Sequence, residues 1–238
     1  PLVLLAGLAL AALPLVGSVS SWVTLSVAGL AMGMIVFIVA SGLTLVFGLM
    51  DVLNFGHGVF IALGAFVATS VLAGLTDWTA TPDPVRNVAA IFVAMLAEMA
   101  LAAAIGAAFE RLIVRPVYGQ HLKQILITMG GMIIGEELIK VIWGPEQRPL
   151  ALPEALRGSL LIGEAAIGKY RVLAVAIGAF VLAAMLHVLV RTKIGLLVRA
   201  GVQDREMVEA LGYRIRRLFV GVFVVGSALA GPGGVMWG

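Results

Sequence analysis

Residues 22–50 read WVTLSVAGLAMGMIVFIVASGLTLVFGLM and contain no charged side chain. A run this long and apolar exceeds the roughly 20 residues that a helix needs to cross about 30 Å of hydrocarbon. Further apolar runs lie at 2–16, 55–75, 87–109, 124–143, 172–190 and 218–238, which makes about seven spans. The reading is all-α: a polytopic transmembrane helix bundle forming one domain over 1–238. The 22–50 run is long for one crossing and holds Gly29, Gly33, Ser41, Gly42 and Gly48, which leaves a tilt, a kink or a following re-entrant piece as readings. Gly29-x-x-x-Gly33 and Gly131-x-x-x-Gly135 suit close helix approach within a bundle.

The rest of the composition agrees. Of the 238 residues, 61% are hydrophobic and 12% charged, whereas a soluble domain carries roughly a quarter charged residues. Mean hydropathy is +1.10. With no Cys there are no disulfides or thiolate ligands, and three scattered His form no metal-binding spacing, so no metal and no cofactor is expected in this chain. The net charge of +3 resides in loops, where topology rather than nucleic acid explains it. The chain opens on Pro1 without a basic leader and stops at Gly238 inside an apolar run, so further residues and helices are expected beyond it.

Arg111, Arg115 and Lys123 fall in one loop, and Arg191, Lys193, Arg199, Arg205, Arg214, Arg216 and Arg217 in another. The excess of Lys and Arg marks cytoplasmic loops, so 191–217 is read as a cytoplasmic loop and the 51–54 turn faces the same way. The 144–171 segment mixes Arg148, Arg157, Lys169 and Arg171 with Glu146, Glu154 and Glu164, and is read as an extracytoplasmic loop.

Within that loop, Gly163-Glu-Ala-Ala-Ile-Gly168-Lys169-Tyr170 nearly matches a phosphate-binding loop. Tyr170 replaces the small hydroxyl that would hold Mg²⁺, and an apolar run follows. A β-hairpin of 159–162 and 166–172, with Gly163 and Gly168 near its turn, is expected instead. Glu98, Glu136, Glu137 and Lys140 lie within apolar runs, where an ionisable group faces a cavity or a partner. Glu136 and Lys140 form either a self-neutralising i,i+4 pair or part of a pathway; Glu98 lacks a local partner and is expected to face the bundle interior. The segment Asp51-Val-Leu-Asn54-Phe55-Gly56-His57-Gly58 reads either as a tight turn whose Asn54 and His57 cap helix ends, or as a broken-helix element lining a cavity.

In the long basic loop, Asp204 suits an N-cap, Glu206 the first turn and Gly212 a stop, with Met207, Val208 and Leu211 as an apolar stripe. Such a helix lies on anionic lipid or docks in a groove of a cytoplasmic protein.

Ser41-Gly-Leu-Thr-Leu-Val-Phe-Gly48, Leu53-Asn-Phe-Gly-His-Gly58 and Leu63-Gly-Ala65 together resemble the N-terminal signature of ABC permeases for branched-chain amino acids. Arg115-Pro116, Gly144-Pro-Glu-Gln-Arg-Pro149, the loop from Gly195 to Gly212, and Ala228-Leu-Ala-Gly231 agree with that family, while Val59 departs from its pattern. The resemblance implies a cell-membrane (inner-membrane) importer subunit that is not itself an enzyme. It implies a second permease subunit, cytoplasmic ATPase subunits that bind ATP and Mg²⁺, and an extracytoplasmic substrate-binding protein. It makes Gln203, Asp204, Glu206, Met207, Val208, Ala210, Leu211 and Gly212 an ATPase coupling helix. Asn54, Phe55, His57, Gly58, Glu98 and Glu136 are candidates for the translocation path. The competing reading is a secondary transporter or channel, which would need no ATPase-docking helix.

Overall fold

The computed structural model describes residues 2–146, 148 and 150–237, so Pro1, Gln147, Pro149 and Gly238 lie outside the described residues. Among the described residues, ten α-helices and one hairpin follow one another: α1 Leu2–Val16, α2 Val19–Met50, α3 His57–Gly74, α4 Thr76–Thr79, α5 Pro84–Phe109, α6 His121–Trp143, β1 Ser159–Ile162, β2 Ala165–Gly168, α7 Lys169–Arg191, α8 Lys193–Gln203, α9 Arg205–Ala210 and α10 Ile215–Trp237. A π turn, Glu110–Val114, and a 3₁₀ turn, Arg115–Val117, prolong α5.

Among the described residues, five helical stretches are long and apolar enough to cross a membrane: Val19–Met50, His57–Gly74, Pro84–Val117, Lys169–Arg191 and Ile215–Trp237. This corrects the expected seven. Helix α1 has 15 residues, about 22 Å at 1.5 Å per residue, which falls short of the hydrocarbon thickness. Helix α6 carries Lys123, Glu136, Glu137 and Lys140, too many charges for an apolar span. It still runs the length of the bundle: His121 Nε2 lies 3.6 Å from Asp51 at one end, and Trp143 Nε1 donates to Ser70 Oγ at 2.7 Å at the other.

Local chemistry explains the helix boundaries. Ser18 Oγ accepts from Ser21 N at 3.2 Å to open α2, and Asp83 Oδ1 accepts from Val85 N at 2.9 Å ahead of Pro84 to open α5. Helix α2 runs unbroken for 32 residues, so the long run is one continuous helix through its glycines. It stops at Asp51, which takes the left-handed conformation with φ 54°.

Helix α10 is the axis of the bundle and packs against α2, α3 and α5. Glycine permits this. A methyl built at Gly42 would fall on the Gly226 carbonyl, and one at Gly64 on the backbone of Gly231. Where lipid offers no hydrophobic force between helices, such backbone contact supplies van der Waals attraction instead. Gly131 and Gly135 make room for the side chains of Phe109 and Val59, whereas Gly29 and Gly33 meet nothing within 4 Å among the described residues.

One end of the bundle buries Leu150 and Leu156 against Ala68, Leu72, Ala90 and Ile91. Asn87 organises that end. Its Nδ2 donates to Trp78 O (2.7 Å) and Thr81 O (2.8 Å), and its Oδ1 accepts from Ala155 N (2.7 Å). Asn87→Ala should therefore cost roughly 2–4 kcal/mol by stranding buried backbone groups, read as a lower melting temperature of the purified protein. The other end buries Val52, Val114, Val198, Val208, Ile215 and Phe219 together. The 51–54 turn and the two Arg-rich segments thus share one end.

The hairpin forms with Ile162 opposite Ala165 and Ser159 opposite Gly168. Gly163, φ 62°, opens the two-residue turn, as a type II′ turn requires. Gly168 lies at the far end, not near the turn, and the second strand stops there instead of reaching 172. Lys169 already begins α7, whose Tyr170 hydroxyl donates to Met236 O on α10 at 2.9 Å.

Candidate functional site

Glu98, on α5, has no exposed surface, and neither carboxylate oxygen has a hydrogen-bond partner among the described residues. It faces the interior, as expected. A methyl built at Gly231 of α10 would fall on this carboxylate, so α10 touches Glu98 only because position 231 has no side chain. The next residue is Pro232. Lacking an N–H, it leaves the Ala228 carbonyl without its helical donor. A buried carboxyl group and a weakened helix thus meet at mid-bundle, where an unpartnered ionised group costs several kcal/mol.

His57 opens α3 and is 5% exposed. It does not cap the helix: its Nε2 lies 3.2 Å from Val39 O on α2, and its ring rests where Gly42 leaves room. Asn54 does make the turn. Its Oδ1 accepts from Gly56 N at 3.1 Å, while its Nδ2, also buried, has no partner among the described residues. Phe55 is 47% exposed and Gly58 is exposed with open space about it. Thr128 of α6 clamps the segment, since its Oγ1 lies 3.2 Å from Leu53 O and accepts from Phe55 N at 3.3 Å. Sequence reasoning missed Thr128, because nothing local separates a clamping threonine from one bonded to its own helix.

It also missed Glu110 and Gln124, both fully buried. The Tyr118 hydroxyl donates to Glu110 Oε1 at 2.6 Å, an arrangement made by the π turn that swings Arg115 one residue further round.

Glu136 is not brought to Glu98. It is exposed on α6, beyond the cover of this chain. Lys140 pairs with Glu137 (2.6 Å, i,i+3) rather than with Glu136.

At the basic end, Thr192 caps α8 through Gly195 N (3.3 Å). Asp204 caps α9, its Oδ1 accepting from Met207 N at 2.9 Å. Gly212, φ 86°, follows it. The apolar stripe divides: Val208 is 2% exposed within the core at that end, while Met207 is 50% and Leu211 68% exposed. Gln203, Glu206 and Ala210 are exposed as well. The expected stripe of three is therefore an anchor and two outward residues.

The near-match to a phosphate loop is spoken for, because residues 165–168 are a paired strand. Neither the unmodified protein nor Lys169→Ala should gain melting temperature on addition of ATP and Mg²⁺, which a thermal-shift assay on the purified protein would check. A groove of about 920 Å³ between α5, α7, α8 and α10 is lined by apolar groups such as Phe92, Met99, Phe180, Val188 and Val225, with Arg217 the one charge among the described residues. Its lining is otherwise apolar and suits an apolar neighbour.

Residues 25–238 match the family model described as branched-chain amino acid transport system / permease component. The chain belongs to this permease family. It is similar to the high-affinity branched-chain amino acid transport system permease protein BraD of Pseudomonas aeruginosa, 27% identical over 215 residues, covering 88% of this chain and 68% of that protein. It is likewise similar to the permease protein LivH of Salmonella typhimurium (28% identical) and of Escherichia coli K12 (29% identical), each over 223 residues, 88% of this chain and 68% of the relative. No solved structure matches. The permease is thus a multi-pass membrane component of a transport system, and not an enzyme.

Proposed function

We propose that this permease is the membrane-spanning subunit of an ATP-binding-cassette importer that moves branched-chain or related amino acids across the inner membrane by alternating access, driven by partner ATPases. Helix α9 carries the reading. It is a short helix outside the spans, capped by Asp204, anchored by buried Val208, and presenting Met207 and Leu211 outward. A self-sufficient carrier has no use for an exposed apolar knob on a fixed helix, whereas an ATPase must grip such an element to transmit its closure.

The basic end then faces the cytoplasm, following the Lys and Arg excess, and 144–171 faces the substrate-binding protein. ATP and Mg²⁺ bind the ATPases, and a second permease subunit completes the path. The moving element is α10 against α2, α3 and α5, with Glu98 and His57 at the contacts that must change and Asn54, Phe55 and Gly58 at the α2–α3 turn. Glu136, exposed on α6, reaches the path only from a neighbouring subunit.

Affinity purification of the full-length permease should bring down an ATPase subunit, and proteoliposomes holding that complex should take up leucine-type amino acids only with ATP and the binding protein. Recovery of the permease free of any ATPase, with uptake driven by an ion gradient, would overturn this reading in favour of a secondary carrier.

A further inference from the structure

Where the α5 span ends and α10 begins, a cleft of about 580 Å³ lies between Arg111, Arg115, Tyr118, Glu209, Arg216 and Phe219. Three arginines and one glutamate line it. Among the described residues, none of the three arginines makes an ion pair. Like charges gathered round one cleft repel unless an anion lies among them, and the planar guanidinium fork matches phosphate oxygens.

The other wall is apolar. Ile215 and Phe219 are 1% and 4% exposed, and the Phe219 ring stands edge-on to Tyr118 with centroids 6.1 Å apart. Two spans, Pro84–Val117 and Ile215–Trp237, have their ends here, which is the depth of lipid headgroups. The backbone contributes as well. A π turn over Glu110–Val114 passes into a 3₁₀ turn at Arg115, a costly winding that recurs at functional sites. Here it buries Glu110 while leaving Arg111 and Arg115 exposed.

We propose that this cleft binds the phosphodiester of an acidic phospholipid in the leaflet at the basic end, with a hydroxyl-bearing headgroup such as glycerol. The arginines take the phosphate, and Glu209 accepts from the headgroup hydroxyls. Glu209 also argues against a free phosphate dianion, which it would repel more strongly than a singly charged diester. Because Glu209 belongs to α9 and Arg111 to the end of α5, a lipid held here ties α9 to the bundle.

The full-length permease, purified in detergent, is titrated with phosphatidylglycerol, phosphatidylcholine and inorganic phosphate while melting temperature and lipid retained in native mass spectrometry are read. Phosphatidylglycerol alone should be retained and should raise the melting temperature. Arg111→Gln and Arg216→Gln should each weaken its retention roughly fivefold, taking about 1 kcal/mol per basic residue near the surface. Arg191→Gln, which removes the same single charge outside the cleft, should not. Equal loss in that control would overturn the proposal, as would no preference for phosphatidylglycerol over phosphatidylcholine. Stabilisation by inorganic phosphate that competes with the lipid would reassign the site to a free anion. Loss of ATPase subunits from the complex on Arg216→Gln, with lipid retention unchanged, would make the cleft a protein-docking pocket instead. Melting in the absence of lipid separates each outcome from simple misfolding of a variant.

Discussion

Gly231→Ala is expected to be among the most damaging single-methyl changes in this permease. The added carbon falls on the Glu98 carboxylate, which is enclosed on all sides and has no room to retreat. Overpacking of this kind costs about 1–3 kcal/mol or more in a tight core. Gly221→Ala, on the same helix with nothing within 4 Å, should leave the melting temperature nearly unchanged and controls for helix propensity. The decisive variant is the double one. Glu98→Ala clears the volume that the new methyl needs, so Glu98→Ala with Gly231→Ala should be more stable than the sum of the singles, by a coupling on the order of 1–3 kcal/mol. Additive effects would mean that the two side chains do not share this space. Glu98→Gln keeps the shape and removes the charge. If Glu98 serves transport, uptake should fall in that variant while the melting temperature holds.

How far the sequence alone reached depended on whether a signal was local. The runs at 22–50, 172–190 and 218–238, free of charge, and 87–109, with Glu98 as its one charge, were legible because so long an apolar stretch satisfies its backbone in lipid only as a helix. The cap at Asp204 was legible because capping is settled within four residues. Helix α8 was not, since Gly195, Arg199 and Gly201 look like loop composition until the close crossing of Gly195 over the Leu189 backbone is seen. Glu110 sits beside Arg111 in a basic stretch and reads as solvated; only the π turn and Tyr118 reveal its burial. The division of the α9 stripe was hidden for a similar reason. Met207, Val208 and Leu211 share a hydrophobic pattern, but which of them faces the bundle depends on where Ile215 and Phe219 come to lie.

That division makes the test of α9 sharper, because two neighbouring apolar residues should fail in different ways. Val208→Asp places a charge in the core beside Val198, Ile215 and Phe219, and burying it without a partner should cost several kcal/mol. The variant should therefore melt early or accumulate poorly, whatever α9 docks against. Leu211→Asp changes a side chain that is 68% exposed, so the isolated permease should fold and melt as before. If α9 is gripped by an ATPase, the same substitution buries a charge in the partner's groove. The complex should then lose ATPase subunits, or keep them and lose ATP-driven uptake, with a weakening of about 2 kcal/mol or more as for a central interface residue. Met207→Asp, 50% exposed on the same helix, should act alike. A helix lying only on lipid gives a different pattern: Leu211→Asp would alter membrane contact while ATPase recovery and uptake stay at the unmodified level. Unchanged recovery and uptake in both outward variants, set against early melting of Val208→Asp, would leave α9 as a structural brace and remove the docking role from it.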